Sequence, residues 1–203
     1  MNNPETVKDD ITYLRRMAEE GRRAPILGGV FLAGAGVIFG IACFIQWTML
    51  LRHIEGWLPV LELWLGAMAL FALVWTFFFL QLRGKGQALT GASNTAFHSS
   101  WLGSGIGITV CCIGVAMAGA FARQPAVMLA YPPMVFAFYG TAWLVSGVLA
   151  RRRWMVGAAA AAYVFVIVLG ALSMSPWQLP AMGVALWMTL TVPGVLLMRE
   201  KAL

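Results

Sequence analysis

Charge is what this sequence has least of. Only 11% of its 203 residues are Asp, Glu, Lys or Arg, about half the share of a typical soluble domain. Apolar residues make up 61%, so the expected solvent is a bilayer rather than water. Histidine is limited to His53 and His98, and cysteine to Cys43, Cys111 and Cys112. No CxxC motif or paired Cys/His spacing occurs, which argues against zinc and iron–sulfur chemistry. Cys111 and Cys112 are adjacent, a strained arrangement for a disulfide. All three cysteines fall in apolar runs and read as small buried residues. GxSxG, HExxH and phosphate-loop patterns are missing. No histidine pair stands in the apolar runs to hold a haem. The chain is therefore expected to be no enzyme and to carry no metal or cofactor. A cleavable leader is also unexpected, because the first 24 residues are charged and lack an apolar core.

Long apolar runs are what is there. A helix needs about 20 mostly apolar residues to cross a bilayer, and six stretches qualify: 26–50, 57–82, 100–122, 126–150, 154–174 and 178–198. The predicted fold is an all-α polytopic bundle of six transmembrane helices over residues 25–203, preceded by a cytoplasmic segment, 1–24. The net charge of +6 is not a nucleic-acid signal, because the basic residues sit in short clusters between apolar runs. With the N-terminus in the cytoplasm, the clusters around Arg15, Arg22, Arg83, Arg151 and Arg199 all fall inside, and only Arg52 and Arg123 fall outside. Both termini are then cytoplasmic. Trp47, Trp57, Trp101, Trp154 and Trp177 mark span ends, as interface anchors do. The minimal outer loops and the missing leader suit a bacterial cytoplasmic (inner) membrane.

Glycine suggests the packing. Span one carries Gly36 and Gly40, and span three Gly103 and Gly107, each pair at GxxxG spacing. Span five opens with Gly157 and a run of alanines. Small faces let helix backbones approach closely, so the odd-numbered spans are expected in the interior. Packing within one monomer is preferred to a homo-oligomer seam. Residues 3–20 are expected to form an amphipathic helix, with Asn3 as cap, Pro4 in the first turn, and Val7, Ile11, Leu14 and Ala18 on one apolar stripe. That stripe would dock on the bundle's own inner end, on a cytoplasmic protein partner, or on the lipid surface.

Glu62 is the one charge inside a span. At about 1.5 Å per residue it lies about 7 Å below Trp57, about halfway to the midplane. Such a residue is expected to face the bundle or a water-filled notch, or to carry a proton. Tyr131-Pro132-Pro133 enters the membrane from the same side at a similar depth. The two prolines withhold amide donors and free carbonyls near Met128 and Leu129. Glu62, Tyr131, Met128 and Leu129 are thus the candidate ligand-binding residues. The expected function is a non-catalytic interaction or regulatory module. The alternative is a small transporter, channel or hydrophobic-ligand binder with an outward-facing polar pocket around Glu62.

Overall fold

The computed structural model describes residues 28–54, 56–84 and 92–199. Among them every regular element is helical. The helices are α1 (Gly29–Leu51), α2 (Trp57–Gly84), α3 (Ala92–Phe121), α4 (Tyr131–Leu149), α5 (Arg153–Ala171), α6 (Gln178–Leu186) and α7 (Val192–Arg199). A 3₁₀ turn, Pro125–Ala130, leads into α4. A π-helical turn, Trp187–Thr191, joins α6 to α7, so that these form one rod. Six helices are long and apolar enough to cross a membrane. The expected amphipathic helix at 3–20, with Val7, Ile11, Leu14 and Ala18, lies outside the described residues.

The order of the helices in space differs from their order in the chain. α1 packs on α2 and on the α6–α7 rod, α5 packs on α4 and α6, and α4 packs on α3. α2 packs mainly on α1, and α3 mainly on α4, with Phe97 of α3 also reaching Gly28 at the start of α1. Half of the sixth rod's apolar window is buried, against 6% for α2 and 11% for α3. This corrects the expectation that the odd-numbered spans form the interior. α1 does, whereas α3 approaches closely only at Gly107, where a Cβ would meet the Phe138 ring at 2.5 Å; at Gly103, Gly105 or Gly114 it would meet nothing within 4 Å. Glycine shows where a backbone could approach, not whether one does.

Close approach is realised between α1 and the sixth rod. A methyl on Gly29 would lie 2.6 Å from the Gly194 carbonyl oxygen, and one on Gly194 would lie 2.6 Å from the Ala33 amide nitrogen. Here backbone meets backbone, as small-residue packing in lipid requires. Trp143, Phe136, Met155, Leu169 and Leu186 fill the centre and are almost wholly buried.

Three helix ends share one geometry. His53, Arg123 and Arg151 have φ of 52°, 52° and 53°. The following amides reach back five residues: Ile54 N to Met49 O, Gln124 N to Gly119 O and Arg152 N to Gly147 O, at 3.0, 3.0 and 2.9 Å. This Schellman closure usually places glycine in the left-handed position. Here a basic or imidazole side chain occupies it, at the ends where membrane boundaries are expected.

Candidate functional site

The polar groups of the bundle fall into two sets. One set closes gaps in the helices themselves. Pro193 has no N–H to return to the fourth residue back, Thr189, and its ring crowds that carbonyl. The turn ahead of it widens, with the Val192 amide bonding to Trp187 O, five residues back. The buried Thr189 carbonyl accepts a hydrogen bond from Trp143 Nε1 on α4, at 2.8 Å. Pro133 acts in the same way on Leu129. Gln178, 5% exposed, donates its Nε2 to Leu129 O at 3.1 Å and to Leu169 O at 3.0 Å. One amide group thus ties the start of α6 to the start of α4 and the end of α5.

Other side-chain bonds join neighbouring helices. Trp64 Nε1 donates to Gln46 Oε1 between α2 and α1, at 2.9 Å. Ser100 and Ser146 hydroxyls meet at 2.9 Å between α3 and α4, and Ser104 donates to Phe138 O. Thr141 and Tyr163 hydroxyls meet between α4 and α5 at 3.2 Å. Polar contacts of this kind hold helices together where the hydrophobic drive is weak. Trp47 Nε1, His98 Nε2, Trp101 Nε1 and Thr191 Oγ1 are buried without a hydrogen-bond partner among the described residues. His98 and Trp101 are three residues apart and so share a face of α3.

The second set is Glu62. It is exposed, and among the described residues it has no hydrogen bond or ion pair. α2 touches α1 along Trp64, Ala67 and Phe71: Phe39 stacks on Trp64 at 6.3 Å and meets Phe71 at 5.4 Å. Phe71 is nine residues beyond Glu62, about two and a half helical turns. The carboxyl therefore points directly away from the rest of the bundle.

The predicted ligand-binding residues are only partly brought together. Met128, Leu129 and Tyr131 share the turn into α4, with Pro132 and Pro133 in the first helical turn rather than in mid-helix. Tyr131 stands beside Cys112 of α3 and near Tyr139. The Tyr131 amide itself takes the Met128 carbonyl. Both carbonyls freed by proline thus have donors within the chain. Glu62 sits on α2, whose principal neighbour is α1, on the face turned away from that helix. Sequence reasoning missed Gln178 and Trp143. The prolines signalled that donors were needed, but nothing local to them says which residues supply the bonds.

Among the described residues these features define a bundle of six helices long and apolar enough to cross a membrane, with one outward carboxylate. No protein-family model, curated protein or solved structure matches the chain.

Proposed function

We propose that this chain is a multi-pass protein of the bacterial cytoplasmic membrane, with both termini cytoplasmic, that serves as a non-catalytic interaction or regulatory module. The observation that carries this reading is the placement of Glu62. Its carboxyl faces neither the bundle interior nor the turn at Tyr131, but the surface on which another membrane protein would lie. The interior polar groups Gln178, Trp143, Ser146 and Thr189 support the reading, because they bond to one another's helices and hold the bundle together. A carboxylate in a span is costly unless it is paired, so a surface partner gives Glu62 a role that the monomer does not.

Photo-crosslinking in native membranes tests this. A photoreactive side chain is placed at Leu65, beside Glu62, and in a second sample at Ile167, an exposed position on α5. Adducts of defined mass at Leu65 and not at Ile167 are the expected outcome. If neither position yields any adduct but lipid, the interaction reading fails. Flux and ligand assays on Glu62→Gln would then become the next step, since they address a transporter.

A further inference from the structure

Among the described residues three helix ends turn through a left-handed residue, and none of the three is glycine, although the sequence holds 22 glycines. A side chain there works against the backbone, so the residue type at such a position is informative. One of them, Arg151, opens a run of three arginines, Arg151-Arg152-Arg153, between α4 and α5. The positive-inside pattern asks only for basic residues somewhere in the loop. It does not ask for one at the single position where glycine would be relaxed. The turn is also rigid. A Cβ at Gly147 would lie 2.9 Å from Met155 Cβ and 3.0 Å from the Val156 amide nitrogen, so the end of α4 and the start of α5 are in close contact. Met155 is fully buried, and the Trp154 ring packs on Trp143 with centroids 5.8 Å apart. The arginines are thus held at one depth, beside a tryptophan that marks a span end.

Exposure alternates along the run: Arg151 is exposed, Arg152 half-buried and Arg153 exposed. Arg152 has an extended backbone, with φ −106° and ψ 104°, and the neighbours of an extended residue lie on the same side of the chain. Arg152 is engaged within the protein. Arg151 and Arg153 have no hydrogen bond or ion pair among the described residues. Their α-carbons are at most about 7 Å apart, the reach of two residues, so two guanidinium groups stand side by side. α5 has no acidic residue in its first turn, so no carboxylate of that turn neutralises them. We infer that Arg151 and Arg153 bind the phosphate of an anionic phospholipid at the inner surface of the membrane. A planar guanidinium fork matches two phosphate oxygens at once. A phosphodiester anchored in the bilayer stands at the depth where Trp154 holds these residues. The inference goes beyond the interaction role and rests on the membrane placement alone.

The test uses the purified full chain in micelles of a non-ionic detergent, titrated with phosphatidylglycerol or phosphatidylcholine of the same acyl chains. Bound lipid is read by native mass spectrometry. The expected result is one phosphatidylglycerol retained about tenfold more tightly than phosphatidylcholine, or better. Arg151→Gly combined with Arg153→Gln should lower that retention by about tenfold or more. Because glycine relaxes the turn, the unfolding midpoint should not fall. Arg153→Gln alone leaves the turn untouched, should lose part of the retention, and carries the test if the double variant does not fold. Arg151→Lys with Arg153→Lys keeps the charge and should keep most of the retention. Arg52→Gln with Arg123→Gly removes the outer arginines and should leave it unchanged. Equal retention of the two lipids by the parent, unchanged retention without Arg151 and Arg153, or an equal loss in the outer variant would overturn the inference. Displacement of the lipid by inorganic phosphate at the same concentration would overturn it in favour of a free-anion site. Release of the chain from native membranes by alkaline carbonate would overturn both the membrane placement and this site.

Discussion

The hydrogen bond from Trp143 to Thr189 should exist because of Pro193, and that dependence can be measured. Trp143→Phe removes the indole donor and part of a fully buried ring. The loss has two parts: core volume, and a buried carbonyl left without a partner, the latter about 1–3 kcal/mol. Pro193→Ala restores an amide at the position from which a regular helix would serve Thr189 O. In that background Trp143→Phe still loses volume, but the carbonyl has another donor. The two changes should therefore be non-additive, the double variant being more stable than the sum of the singles predicts by about 1 kcal/mol. That lies within the range that interhelical bonds reach in membranes. The assay is equilibrium unfolding of the purified full chain in mixed micelles under increasing sodium dodecyl sulfate, read by circular dichroism. Additivity within about 0.5 kcal/mol would refute the idea that the indole replaces the amide proline lacks.

Three further predictions concern other joints. Gln178→Leu leaves the Leu129 and Leu169 carbonyls unserved and should cost about 2–4 kcal/mol in the same assay, and Pro133→Ala should recover part of the loss through Leu129 alone. Gly194→Leu drives a side chain into the backbone of α1 and should prevent stable folding or cost at least about 3 kcal/mol, whereas Gly103→Ala, facing open space, should be tolerated as judged by yield and unfolding midpoint. Arg123 holds a left-handed conformation, so Arg123→Gly should stay within about 0.5 kcal/mol of the parent, and Arg123→Val should cost about 1–2 kcal/mol.

The six helices were legible because hydropathy integrates over some twenty residues and tolerates single exceptions. Their boundaries were less so. α3 begins at Ala92 rather than near residue 100, because a helix can run on through Asn94, Ser99 and Ser100 where no proline or glycine stops it. α5 ends at Ala171 rather than 174, since Leu172 to Ser175 form successive turns. The arrangement of the helices was the least legible feature. Gly36 and Gly103 look alike in sequence, yet a Cβ on the first would strike the Thr191 hydroxyl and one on the second would strike nothing. The difference lies in residues more than a hundred positions away. For the candidate site, the prolines correctly announced free carbonyls at Met128 and Leu129. What no local pattern contains is that Gln178, far along the chain, would reach one of them.

These polar groups also explain why the outward face of α2 carries the functional argument. In a low-dielectric medium the expensive state is a polar group with no partner. Thr189 O has Trp143, Leu129 O has Gln178, Ser100 has Ser146, and Trp64 has Gln46. Each of these is served across a helix boundary, and each therefore favours one relative placement of two helices. Glu62 would carry the highest cost of all in such a medium and has no partner among the described residues. It stands on the helix with the smallest buried share, above a small residue that leaves room for a neighbouring backbone. Among the described residues these carbonyls are served across helix boundaries, while the carboxyl of Glu62 is directed outward, which is the observation that the proposed interaction role rests on.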